Sequence, residues 1–179
     1  MPDGEEKENI MTPDAALQFL HMQLEQYMRE RETTRKVLAA LPDSGADYQP
    51  DPKARKAFDL AFHVANSDKG FLEFIVTGHY GGKEDRAEAG VTKPSELADW
   101  YMKVTDEALA KVRAMSGEDA AKILDFYGAF QMPAAAYMTF MLTHGIHHRG
   151  QLSVYLRPAG GLVPSIYGGS ADEPWQPGA

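Results

Sequence analysis

Residues 133–157 read PAAAYMTFMLTHGIHHRGQLSVYLR. Tyr137, Met141, Leu152 and Tyr155 recur along this stretch at helical spacing, the period of a helix that buries one face. Pro133 suits the first helical position, where an N–H has no partner to lose, and Pro158-Ala159-Gly160-Gly161 stops the run. The spacing predicts a helix from Pro133 to Arg157. Within it His144 and His148 are four residues apart, which places their imidazoles about 40° apart and one turn, roughly 6 Å, along the axis. Two such nitrogens can share one metal ion.

Three further segments carry the same period. The first runs from Thr12-Pro13-Asp14 to Leu41, with Leu17, Leu20, Leu24, Tyr27, Leu38 and Leu41 in its stripe. Arg31 and Thr34 interrupt that stripe and are expected to line something wet. The second runs from Pro52, after Asp51, to Gly78. The third starts near Pro94, carries Leu97, Tyr101, Val104, Ala108, Val112 and Met115, and ends at Ser116-Gly117. Strand-like alternation is hard to find, so the chain reads as all-α, a four-helix bundle. Connections of about ten and about fifteen residues exceed the usual link between antiparallel neighbours and allow a long crossover. Ile123–Tyr127 is apolar and aromatic and reads as extended. Residues 1–179 form one domain, with 1–11 as a flexible N-terminal tail and 158–179 as an irregular tail packed on the bundle.

Composition narrows the function. The 179 residues are 44% hydrophobic and 25% charged, ordinary for one globular core. There is no cysteine, which excludes disulfides, thiolate metal sites and cysteine nucleophiles, so any metal must sit on nitrogen and oxygen. The formal net charge of -8 argues against a nucleic-acid partner. No apolar run approaches the roughly 18 residues of a membrane span, and the acidic start is unlike a signal peptide. The expectation is a soluble, cytoplasmic protein without a membrane partner.

On a helical wheel His144 and His148 fall among Tyr137, Met141, Leu152 and Tyr155, while His147 and Arg149 lie on the flanks, each about 100° from the stripe centre. A lone histidine in an apolar stripe is ordinarily a core residue with a satisfied ring. Two on one seam are harder to accommodate, because each buried imidazole without a partner costs about 1–3 kcal/mol. A third ligand is available in the second helix, where His63 shares a face with Leu60, Ser67, Gly70, Phe71 and Phe74. Ser67 and Gly70 are small and would leave space beside an ion, as a catalytic site with three protein ligands and an open position requires. His21 and His79 read as solvent-facing. The zinc-protease helix needs glutamate after its first histidine, where this chain has Gly145, and paired Glu-x-x-His helices of di-iron bundles are absent. Gln151 and Asn66 are placed to orient substrate or a ligand, although polar residues on a helix flank are the simpler reading. Arg149 is placed to hold an anionic substrate group, although an exposed or dimer-facing salt bridge is the simpler reading. No residue stands out as a general base. Phe58, Ala61, Phe62, Ala65 and Leu72 form a second apolar face on the second helix, which predicts a homodimer through it or a tail packed on it.

The whole chain resembles the DinB/YfiT-like superfamily. The resemblance rests on Thr34-Arg35-Lys36-Val37-Leu38 with Leu41-Pro42, on Leu60-Ala61-Phe62-His63-Val64-Ala65, on His144 through Arg157, and on the ending Val163 through Glu173. It implies a bundle in up, down, down, up order, often dimeric. It also implies a divalent metal held by His63, His144 and His148, nickel or zinc foremost, with iron or manganese as alternatives. Characterised members of that superfamily include transferases and isomerases that use a low-molecular-weight thiol such as bacillithiol, mycothiol or glutathione, and metal-dependent hydrolases. The resemblance therefore implies a small-molecule substrate and a metal that activates either a thiol or a water. The competing expectation is a non-catalytic, stress-associated metal-binding or interaction protein.

Overall fold

The computed structural model describes residues 11–82 and 85–175. The acidic start and most of the expected N-terminal tail lie outside the described residues.

Four long helices carry the architecture: α1 (Pro13–Ala39), α2 (Ala57–Thr77), α3 (Leu97–Arg113) and α5 (Tyr137–Leu156). A short α4 (Gly117–Ala121) and a hairpin of β1 (Ile123–Phe126) and β2 (Phe130–Pro133) join α3 to α5. The fold is all-α apart from this hairpin. Helix α2 packs against α3 and α5, and α1 packs against the same two.

The apolar interior falls into two clusters. One holds Leu20, Leu24, Phe71, Phe74, Leu109, Tyr137 and Met141, the other Leu38, Leu60, Ala61, Leu97, Leu152 and Leu156. Helices α1 and α5 give their N-terminal halves to the first cluster and their C-terminal halves to the second, whereas α2 and α3 do the reverse. Between the clusters each of the four long helices contributes buried polar groups. Tyr27 and Tyr101 hydroxyls both donate to Asp68 Oδ2, at 3.2 and 2.7 Å. Arg31 Nε donates to Thr105 Oγ1 at 2.7 Å, and its guanidinium pairs with Asp106 at 2.8 Å. Arg149 pairs with Glu30 at 2.6 Å and donates to Thr34 Oγ1. Arg31 and Thr34 are thus buried in protein contacts, and beside Thr34 lies a void of about 10 Å³ lined by Tyr27, Glu30, Asp68 and Arg149 among others. That is room for about one water.

Several boundaries differ from the sequence reading. Helix α2 starts at Ala57, not Pro52, because Lys53 N–H bonds Asp51 Oδ1 and Ala54 N–H bonds Asp51 O in a separate turn. The first amides of α2 are capped by the preceding loop instead, Ala57 N–H by Tyr48 O and Phe58 N–H by Ala46 O. Its C-terminal end is as expected: Gly78 takes the left-handed conformation, φ 74°. Ser116-Gly117 closes α3 but also opens α4, where Ser116 and Asp119 form a capping box. Helix α5 starts at Tyr137 rather than Pro133, since Pro133 is held in the hairpin opposite Ile123. The extended reading of Ile123–Tyr127 corresponds to β1 and its turn, where Tyr127 and Gly128 both have positive φ.

The second apolar face of α2 is covered within the chain. Phe62 stacks on Trp100 of α3, the Arg86 guanidinium sits over Phe58, and Leu72 packs with Leu109 and Val112. All five of its apolar side chains are buried within the chain. The tail lies elsewhere, over α1 and the loop after it: Ala159 is buried against Gly45, and Tyr167 reaches Glu30. No helix of the described residues is long and apolar enough to cross a membrane.

Candidate metal centre

Helices α2 and α5 are neighbours, and at the level of the polar layer they bring His63, His144 and His148 together. One nitrogen from each lies within 4.8 Å of the others, the only such group of histidine or carboxylate residues found among the described residues. Ring centroids are 5.1 Å apart for His63 and His144, 4.6 Å for His63 and His148, and 4.5 Å for His144 and His148. The four-residue spacing produces the last contact; the packing of α2 on α5 produces the other two. His147 is exposed and stays outside, touching only the outer side of His148. His21 and His79 are exposed as expected.

The environment keeps the trio neutral. Burial pushes His63 down to about 4, aided by the Arg55 guanidinium and the other two rings. Burial likewise pushes His144 down to about 4, with His148, His147 and Arg55 adding to the effect. His148 is lowered by burial too, partly offset by its bond to Gln151. Neutral imidazole is the form that ligates a metal. Partners outside the trio orient two of the rings: Ser67 Oγ lies 3.4 Å from His63 Nδ1, and Gln151 Oε1 lies 3.1 Å from His148 Nδ1. Such contacts fix the ring and the tautomer of a ligand. His144 Nδ1 is buried without any hydrogen-bond partner. Three neutral imidazoles that each bring one nitrogen within 4.8 Å of the others fit a divalent ion.

The sequence profile of the DinB family matches residues 11–178. The chain belongs to the DinB family. Among similar proteins of Bacillus subtilis, YjoA is 24% identical over 136 residues, 75% of this chain and 86% of YjoA. YrdA is 44% identical over 83 residues, 46% of this chain and 49% of YrdA, so that likeness covers about half of each; both are called uncharacterized. The crystal structure of the DinB-like YjoA superposes with a TM-score of 0.64 at 22% identity, covering 79% of this chain and 94% of that one. A DinB-like protein from Bacillus cereus gives a TM-score of 0.66 at 26% identity, covering 82% and 97%. As a DinB family protein the chain belongs to a group that is generally metal-associated, and the trio is compatible with that.

Two details of the site depart from the sequence reading. Gly70 does not leave room beside the histidines: a Cβ there would lie 2.7 Å from the Gly82 backbone and 2.8 Å from the Tyr80 ring, so a returning loop fills that space. The open space lies instead toward the start of α2, a cleft of about 410 Å³ lined by Arg55, Asp59, His63, Asn66 and Arg86 among others. Arg149 is not exposed or dimer-facing. It is 1% exposed, bonded to Glu30 O and Oε2, Thr34 and the Tyr167 hydroxyl. The wheel placed it on a flank because a wheel shows one helix, and its partners come from α1 and the tail. Arg55 gave no signal in sequence; only the path of the loop before α2 brings it to the cleft.

Proposed function

We propose that His63, His144 and His148 hold a divalent metal, nickel or zinc, and that the protein is a metal-dependent enzyme acting on a small molecule bound in the adjoining cleft. The observation that carries this is the convergence of three neutral imidazoles whose ligating atoms lie within 4.8 Å of one another, beside open space. When bound, the ion would supply Lewis-acid activation of a thiol or a water at a position the protein leaves free. The ring partners Ser67 and Gln151 hold His63 and His148 in orientation, and neither takes a proton from water at neutral pH. Deprotonation of a bound thiol or water would thus fall to the ion itself, which serves a thiol-dependent transfer and a hydrolysis alike.

Metal analysis of protein purified without an affinity tag tests the centre. The wild type should carry about one equivalent and His148→Ala far less, since two nitrogens hold a divalent ion weakly. Equal content in both would sink the three-histidine site. Offering the loaded protein a thiol with an electrophile, and separately simple esters and amides, then tests catalysis. Turnover with the thiol alone supports the transferase reading, and no turnover with either favours a binding role.

A further inference from the structure

The cleft beside His63 is lined by Arg55, Asp59, His63, Asn66, Asp85 and Arg86 among the described residues. Two of its residues carry uncommitted groups, one in solvent and one buried. Arg86 and Asp59 satisfy each other at 2.8 Å, but Arg55 makes no ion pair or hydrogen bond within the described chain. Asn66 is 5% exposed, and its Nδ2 donates to Gly82 O at 3.0 Å, leaving Oδ1 buried with no donor. Flipping the amide does not cure this, because the Gly82 carbonyl would then face an oxygen. A buried acceptor without a donor is a cost that a bound group can remove.

We propose that this cleft binds a small carboxylate carrying an N–H or O–H donor, with Arg55 pairing with the carboxylate and Asn66 Oδ1 accepting from the donor. A guanidinium takes a carboxylate through two parallel N–H bonds. Among the described residues the charges in the cleft favour a monoanion over a phosphate dianion: once Arg86 and Asp59 are paired, one guanidinium remains, and Asp85 would repel a second negative charge. His63 lies on the same wall, so a ligand held at Arg55 and Asn66 ends beside the histidine trio. That this ligand is the substrate rests on the metal reading above; that it binds does not.

Titration of the 15N-labelled protein followed by amide shifts tests the pair of contacts with three probes. N-acetylglycine has both groups, its methyl ester lacks the charge, and N-acetylsarcosine lacks the N–H. N-acetylglycine should shift amides around His63 and Asn66 and bind at least about fivefold tighter than either analogue, a modest share of what a charge-assisted pair contributes. Arg55→Gln, at an exposed position, should abolish the preference for acid over ester and keep the preference for the N–H. Equal binding of acid and ester by the wild type, an unchanged preference in Arg55→Gln, equal binding of the glycine and sarcosine probes, or no localised shift at all would each overturn the subsite. Zinc and nickel uptake measured in parallel separates the two readings. Selective binding of the acid by a protein that takes up neither zinc nor nickel, offered in turn, supports the subsite and removes the metal centre.

Discussion

Gln151 is exposed, yet it touches one histidine of the trio, His148. Its removal should cost little stability and weaken metal binding by about tenfold, the usual effect of losing a ligand's hydrogen-bond partner; competition against a chromophoric chelator reads this directly, and unchanged affinity in Gln151→Ala would remove its orienting role. Arg149 is the opposite case. It is buried and paired, so truncation leaves Glu30 with the Tyr167 hydroxyl but no counter-charge and Thr34 without its donor. Arg149→Ala should lose about 3–5 kcal/mol in urea unfolding, and a loss under about 1 kcal/mol would mean the pair is solvated. The histidines were legible in sequence because each lies on an apolar stripe, where a polar residue is conspicuous. Arg149 was not, since its burial depends on α1 and on a tail residue, and neither can be seen from the period of α5.

The elements were legible where one period runs long, and illegible where tertiary contacts decide. Helix α2 illustrates both. Its apolar stripe and its glycine stop were clear, but its start was set by the carbonyls of Ala46 and Tyr48 rather than by Pro52. The hairpin was seen only in its first strand, because each strand is four residues long and their burial does not alternate cleanly. Gly70 shows what packing adds to a helix position. A methyl group there meets the Gly82 backbone and the Tyr80 ring, so Gly70→Ala should push that loop off α2. The expected cost is about 1–3 kcal/mol, accompanied by faster amide hydrogen exchange in the loop as the Asn66–Gly82 bond is lost. Unaltered stability and exchange would show that the loop yields freely.

At the scale of the molecule, acidity acts on the interior in two directions. Burial raises Asp68 to about 6 from an ordinary 3.8, so the folded state keeps this proton over a range in which the unfolded chain has released it. Its contribution to stability is fully present below about 3.8 and is lost as pH rises through about 6. The histidines run the other way: the unfolded rings take up protons near 6.5 while His63 and His144 resist until about 4, so their contribution is lost as pH falls between those values. Comparing metal-free wild type with Asp68→Asn cancels the histidine part. The stability of the wild type relative to the variant should decline as pH is raised from about 4 to above 6 in equilibrium unfolding, and a flat difference would show that Asp68 ionises normally in the fold. The all-α class and the four helices were readable from composition and period, whereas this layer was not, because Asp68 and its tyrosine partners come from three separate helices.

The two apolar clusters meet only across that polar layer, and the layer permits few alternatives. Apolar packing is forgiving of a helix that slides by one turn, since one leucine replaces another at the contact. Here such a slide would part Arg31 from Thr105, Arg149 from Glu30, and both tyrosines from Asp68. The layer thus indexes the helices, as a keyed joint fixes two shafts. His63 and His144 sit within about a turn of Asp68 and Arg149 on the same helices and inherit that alignment. Either end of the bundle can therefore be recomposed with other apolar residues while the spacing of the imidazoles is kept.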